Sequence, residues 1–355
     1  MTLTDQAREV RNGEALDAGR ILDFLLEHVP ELSGEITIGQ FPGGYSNLTY
    51  LIQVGDQALV LRRPPIGTKA ATAHDMHREF RILKAVRPVF PYCPEPLVHC
   101  DDLSIMGSEF YVMKRIEGII LRRQMPDGLS FSPDQATRLG QNLLDVHLAL
   151  HQIDIDRACL GQLGKPEGYV RRQVEGWSRR YRNAKTSDAP DCESIMAWIA
   201  EKMPPDTDRP TLIHNDFRLD NVVLDPKNPM DIIGVLDWEM ATIGDPLMDL
   251  GNSLAYWVQA DDPEEFQLMH MMPADMQGAM TRKELIQRYK EKSDRPMDQM
   301  DFYFCFGLFR LAVIAQQIYY RYYHGQTKDE RFAMLIFGVH ALEKAARRVI
   351  ETGWI

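Results

Sequence analysis

His214-Asn215-Asp216-Phe217-Arg218-Leu219-Asp220-Asn221 is the stretch on which this chain turns, and the acidic element Asp237-Trp238-Glu239 begins sixteen residues after its last member. An Asp followed five positions later by an Asn, on a loop entering a strand, can aim a carboxylate and an amide into one cleft. A second Asp at the end of the next strand can complete an oxygen shell for a divalent cation. Phosphoryl transfer from a nucleotide needs these parts: a carboxylate that orients the attacking hydroxyl and accepts its proton, and oxygen ligands for magnesium on the β- and γ-phosphates. The spacing H-x-D-x-x-x-x-N, then D beyond an apolar strand, supplies them in a mechanically sensible order.

The surroundings divide into two textures. From Ile36 to Ile116 the pattern favours strands: Ile36–Phe41, Leu48–Val54 and Ala58–Arg62 are short β-type segments punctuated by Pro42-Gly43-Gly44 and Gly55-Asp56-Gln57. A helix is predicted over His74–Val86, then strands at Leu97–His99 and Phe110–Arg115. Beyond Gly118 amphipathic helices dominate, at Pro133–His151, Arg282–Lys292, Met300–His324 and Glu330–Thr352. Ser132-Pro133 reads as an N-cap with Pro at the first helical position. A strand-like island, Thr211–Ile213, Asn221–Leu224 and Ile232–Leu236, surrounds the quoted stretch. The expectation is an α+β chain in two parts, a β-rich lobe over residues 1–117 with an N-terminal helix and a mainly helical lobe over 118–355.

Composition narrows the classes. The 355 residues carry 40 basic and 51 acidic side chains, a net charge of −11, which argues against coating nucleic acid. With 45% hydrophobic and 26% charged residues the chain can bury a sizeable core. No basic start with an apolar core opens the sequence, and no apolar run is read as approaching the ~20 residues that cross a bilayer. Five scattered cysteines form no C-x-x-C pair, so neither a disulfide framework nor a zinc ribbon is expected. The expected setting is cytoplasmic, with no nucleic-acid or membrane partner.

The tract Leu212–Gly251, with Asp237-Trp238-Glu239-Met240-Ala241-Thr242-Ile243-Gly244-Asp245-Pro246-Leu247-Met248-Asp249-Leu250-Gly251, resembles the aminoglycoside-phosphotransferase and choline-kinase-like branch of the protein-kinase fold. With Ala58-Leu59-Val60-Leu61-Arg62-Arg63-Pro64-Pro65 it is most similar to the kinase-like domain found alone or fused to some acyl-CoA dehydrogenases. The resemblance implies a protein-kinase-like bilobal α+β fold and an enzyme using ATP and Mg2+ to phosphorylate an alcohol. It implies Asp216 as catalytic base, His214 as scaffold of the catalytic loop, Asn221 and Asp237 as magnesium ligands, and Asp249 as a buried brace. It also implies a nucleotide-binding set of Gly43, Gly44, Ser46, Asn47, Arg62, Glu79 and Met113. Gly43-Gly44-Tyr45-Ser46-Asn47 lies where such proteins fold a loop over the triphosphate, although a Gly-Gly turn alone reads as an ordinary hairpin. Most relatives place Lys on the next strand, where this chain has Arg62 beside Arg63. Strand alternation sends the two to opposite faces, so one of them is expected in solvent, and Arg62 is the one expected to pair with Glu79.

Other clusters have bland readings. His147 and His151, four apart on a helix, could present two imidazoles to a metal, but no third ligand is legible nearby and structural histidines are favoured. The run Met269, Met271, Met272, Met276 and Met280 reads as adaptable packing, and Tyr319, Tyr320, Tyr322 and Tyr323 as helix packing. Arg171, Arg172, Arg179, Arg180, Arg182 and Lys185 around Trp177 and Tyr181 read first as a solvated helix face. On a chain of charge −11 they are also a candidate dock for an anionic substrate, such as a CoA thioester. The competing functions are an aminoglycoside or amino-alcohol kinase, a catalytically silent nucleotide-binding module, and, less well, a metal-dependent hydrolase.

Overall fold

The computed structural model describes residues 3–42, 47–65, 75–269, 273 and 276–355. The chain divides into two compact units, Met1–Ile120 with Val222–Glu239, and Leu121–Asn221 with Met240–Ile355.

The first unit is built on a five-stranded antiparallel sheet of β1 (Ile36–Gln40), β2 (Leu48–Val54), β3 (Gln57–Arg63), β4 (Pro96–Cys100) and β5 (Phe110–Lys114), ordered β1-β2-β3-β5-β4. Along β2, Leu48, Tyr50, Ile52 and Val54 are buried while the residues between them are half-buried. That period of two gives the sheet one fully apolar face. Helix α1 (Ala18–His28), capped by the Asp17 side chain, covers that face with Ile21, Phe24 and Leu25, joining Leu59, Leu61 and Val112 in one core. Burying each such side chain stabilises by about 1.5–3 kcal/mol. Helix α2 (Met76–Val86), capped by Asp75, brings Glu79 to Arg62. The turn between β2 and β3 requires Gly55: its φ is +54°, and a Cβ there would lie 2.3 Å from the Ser33 carbonyl oxygen.

The four-residue helix α3 (Leu103–Met106) completes the contiguous part of this unit. Val222–Glu239 returns to it as the hairpin β7 (Val222–Leu224) and β8 (Ile232–Val235). Leu224 exchanges both backbone hydrogen bonds with Ile119, Val235 N–H donates to the Tyr92 carbonyl, and the Trp238 ring packs edge-on to Phe90.

The second unit holds α4 (Pro133–His151), α5 (Tyr169–Ala184), α6 (Glu193–Glu201), β6 (Thr211–Ile213), β9 (Thr242–Gly244), α7 (Pro246–Ala255), α8 (Glu264–Gln267), α9 (Arg282–Ser293), α10 (Met300–Tyr323) and α11 (Leu335–Thr352). Helix α4 begins with the expected Ser132 cap, extended to a capping box by Gln135. Strands β6 and β9 pair antiparallel, so the loop after Ile213 is anchored beside the loop before Thr242. Helices α7 and α10 cross with almost no side chain between them: a Cβ on Gly307 would lie 2.3 Å from the Gly251 oxygen. Helix α10 is long and apolar enough to span a bilayer, contrary to the sequence reading, but 78% of its apolar stretch is buried inside the protein. It is a core helix, contacted by α5, α7 and α11. All five cysteines are free.

Candidate active site

The loop after β6 is shaped by one carboxylate. Asp249, fully buried on α7, accepts the backbone N–H of His214 on Oδ2 and that of Asn215 on Oδ1, both at 2.7 Å. Its Oδ2 also lies 3.0 Å from His147 Nε2 and 3.1 Å from His151 Nε2. Burial pushes this carboxyl up, but the charge and hydrogen bond of His147, with His151 beside it, hold it well below the usual carboxylate range. The third group that the His147–His151 pair lacked in the sequence is therefore Asp249, and the three could hold a metal by spacing. Four donors already use this carboxylate, however, and the trio works as a hydrogen-bonded brace.

Asn215 takes a left-handed conformation, φ +66°, that an Asn tolerates at modest cost. Its amide donates to the Met240 carbonyl, its Oδ1 accepts from the Tyr169 hydroxyl, and its carbonyl accepts from Arg310 Nη2 at 2.9 Å. His214 is fully buried, and its Nδ1 accepts the Asp216 N–H at 3.2 Å. Asn221 Nδ2 donates to the Asp216 carbonyl at 2.9 Å and to Asp216 Oδ2 at 2.7 Å. Arg218 bridges two carboxylates, with Nε 3.2 Å from Asp216 Oδ1 and Nη1 3.1 Å from Asp220 Oδ2, and its guanidinium covers the Tyr256 ring at 4.7 Å. Burial lifts Asp220 to about 6, with Arg218 pulling down and Asp216 pushing up. Beside Phe217 and Arg218 opens an apolar recess lined by Leu143, Leu144, Leu250, Leu254, Trp257 and Leu285.

The first unit carries a second constellation. Arg62 Nη1 lies 3.1 Å from Glu79 Oε1, and Nη2 lies 3.1 Å from Asp237 Oδ1. Asp237 also has a left-handed backbone, φ +65°. Burial favours neutral Glu79, opposed by Arg62, and the net direction is upward. Asn47 Nδ2 donates to Glu239 Oε2 at 2.9 Å, and Arg78 Nη1 to the Glu239 carbonyl at 2.7 Å. Met113 is buried on β5 opposite Val60. Gly43, Gly44 and Ser46, with Tyr45, Met271 and Met272, lie outside the described residues.

One expectation is corrected. Arg62 and Arg63 do point to opposite faces, yet neither is in solvent, with exposures of 8% and 7%. The sequence reading left one face of β3 uncovered. Helix α1 and the segment before it cover that face, and Arg63 acts electrostatically on Glu14 and Tyr50 there.

The basic helix is also narrower than its composition. Arg171 is near Glu175, Arg172 donates to the Glu167 and Lys165 carbonyls, Arg182 holds Glu193 with two hydrogen bonds, and Lys185 is 3.6 Å from Asp191. Of the helix arginines, Arg172, Arg179 and Arg180 have no carboxylate partner among the described residues, and Arg172 is taken up by backbone carbonyls.

Residues 37–272 match the model of the phosphotransferase enzyme family, about two thirds of the chain. The chain belongs to that family. It is a phosphotransferase of protein-kinase-like α+β fold. This family member is 33% identical over 337 residues to acyl-CoA dehydrogenase family member 11 of Rattus norvegicus, a match covering 93% of the chain and 43% of that protein. The chain thus spans less than half the length of that curated relative. A crystal structure from Ralstonia eutropha JMP134, provisionally assigned as an aminoglycoside phosphotransferase, is similar at TM-score 0.74 and 28% identity, covering 93% of this chain and 99% of that one. A thermostable mutant of aminoglycoside phosphotransferase APH(4)-Ia, in ternary complex with AMP-PNP and hygromycin B, shares the fold at TM-score 0.59 and 15% identity, over 94% of this chain and 100% of that one.

The loop residues Asp216, His214 and Asn221 were legible because all lie within eight positions. Arg310, Tyr169, Tyr256 and Asn252, whose Nδ2 donates to Asn215 Oδ1 at 3.4 Å, were not, since they reach the loop from helices far along the chain and no local spacing announces them.

Proposed function

We propose that this phosphotransferase is an ATP- and Mg2+-dependent small-molecule kinase that transfers the γ-phosphoryl group to an alcohol, with a hydroxyacyl-CoA or hydroxy acid as the preferred acceptor. The observation that carries the reading is the Asp216–Asn221 hydrogen bond at 2.7 Å on a loop braced by Asp249. In this reading Asp216 orients the acceptor hydroxyl and takes its proton, while His214, buried behind it, holds the loop. Asn221 uses its amide nitrogen on Asp216, and its Oδ1 accepts no hydrogen bond from the described residues, which suits a hard oxygen ligand for magnesium. Asp237 is the carboxylate ligand proposed in the first unit, where Arg62, fixed by Glu79, binds phosphate oxygens with Asn47 and Met113 in the nucleotide set. Magnesium, when bound, neutralises charge on the phosphates.

Two features favour an anionic, partly aliphatic acceptor over a polycationic aminoglycoside or an amino alcohol. Among the described residues Arg179 and Arg180 have no acidic partner, and the recess beside Phe217 is lined mainly by leucines. The test is ADP release, with Mg2+ and ATP, across hydroxyacyl-CoAs, free hydroxy acids, choline, homoserine and aminoglycosides. Turnover is expected with the first two classes. Release with only cationic acceptors overturns the acceptor class, and release with none overturns the kinase reading in favour of a silent nucleotide-binding module.

A further inference from the structure

Arg310 on α10 is 4% exposed, and among the described residues its one hydrogen bond goes to the Asn215 carbonyl. No carboxylate pairs with it among those residues. Arg282, the other buried arginine of the unit, has Asp262 at 2.5 Å. A guanidinium taken out of water without a counter-ion is costly, and a folded protein usually supplies the partner. Here the neighbours are also cationic. Arg310 and Arg180 both lie against Trp177, their Cζ atoms 5.2 and 4.5 Å from its ring centroid. Burial, then the charges of Arg179 and Arg310, depress the Arg180 pKa. Cation–π contact with the indole offsets part of the cost but does not neutralise charge. The cluster is also next to the catalytic loop: Arg310 grips the residue preceding Asp216, and both Arg310 and Asp216 act on the Tyr256 hydroxyl.

We propose that Arg310 and Arg180, with Arg179 beside them, form an oxyanion subsite that seats the negatively charged group of the acceptor, a phosphate or a carboxylate, near Asp216. The inference rests on the kinase reading and deepens it by naming the chemistry that the acceptor must carry. Guanidinium forks match both oxyanions, and charge-assisted hydrogen bonds of this kind discriminate strongly against cations.

The experiment measures binding without turnover. The nucleotide-free 355-residue chain is titrated at fixed ionic strength with CoA as the phosphate source and 3-hydroxybutyrate as the carboxylate source, following the thermal midpoint. AMP-PNP with Mg2+ serves as control. At least one of the two anions is expected to raise the midpoint, and the one that does names the source. Arg180→Glu is expected to weaken that binding tenfold or more, Arg180→Lys to retain it within several-fold, and both to leave the AMP-PNP shift intact. Arg180 carries the test because Arg310 also holds the loop. Failure of both anions to bind, or an anion shift unchanged in Arg180→Glu, overturns the subsite and leaves Trp177 with a structural arginine stack. Charge-reversible anion binding alongside absent ADP release would retain the subsite and reject the kinase.

Discussion

Asp249 accepts the backbone N–H of Asn215 at 2.7 Å, so the loop that carries Asp216 is held by a side chain thirty-four positions downstream. Its full burial and four donors make it costly to replace. Asp249→Asn keeps the shape but places an NH2 group against a donor. Breaking a buried charged network of this kind costs about 3–5 kcal/mol. Urea unfolding should show that loss. A variant unfolding at the parental midpoint would mean that the brace is not stabilising.

Asp216→Asn should behave differently. The amide oxygen can still accept from Asn221, so stability and the AMP-PNP thermal shift should stay near parental values. Loss of the proton acceptor should lower kcat by about 10^2–10^4-fold. A parental ADP-release rate with a productive acceptor would remove Asp216 from the base role.

Arg62 is enclosed by Glu79 and Asp237, and removing it alone strands a buried carboxylate. Arg62→Met should destabilise by about 3–5 kcal/mol, and adding Glu79→Gln should recover much of that. Neither variant should regain the magnesium-dependent thermal shift with ATP. If the double variant binds ATP as the parent does, Arg62 has no part in nucleotide binding.

Asp220 and His151 titrate in one window with opposite signs. Burial raises Asp220 from the ordinary 3.8 to about 6, so its contribution is complete below 3.8 and lost as pH rises through about 6. Burial and the charge of His147 lower His151 from 6.5 to about 4, so its contribution is complete above 6.5 and lost as pH falls through about 4. Each shift corresponds to about 3 kcal/mol, so the two largely cancel in the parent between pH 4 and 6. Asp220→Asn should uncover a stability that rises with pH across this range, and His151→Asn one that falls. Denaturant melts at pH 4, 5 and 6 would check both, and parallel slopes in all three proteins would refute the assignment.

Short-range order was readable from the chain. Strand β2, helix α4 with its Ser132 cap, and β6 emerge at the bounds read from the sequence, because side-chain period and capping chemistry act over a few residues. The same holds for the Asp216–Asn221 pair, five positions apart. Tertiary structure alone decided that both faces of β3 are covered, which buries Arg63 as well as Arg62. It also returned Val222–Glu239 to the sheet-bearing unit, beyond the single boundary placed after Glu117, and brought Arg310 to the Asn215 carbonyl. These depend on packing between segments as many as 192 residues apart, as Asn47 and Glu239 are. No local periodicity encodes such a meeting; it follows from which surfaces can be buried together, and that is settled only when the whole chain has folded.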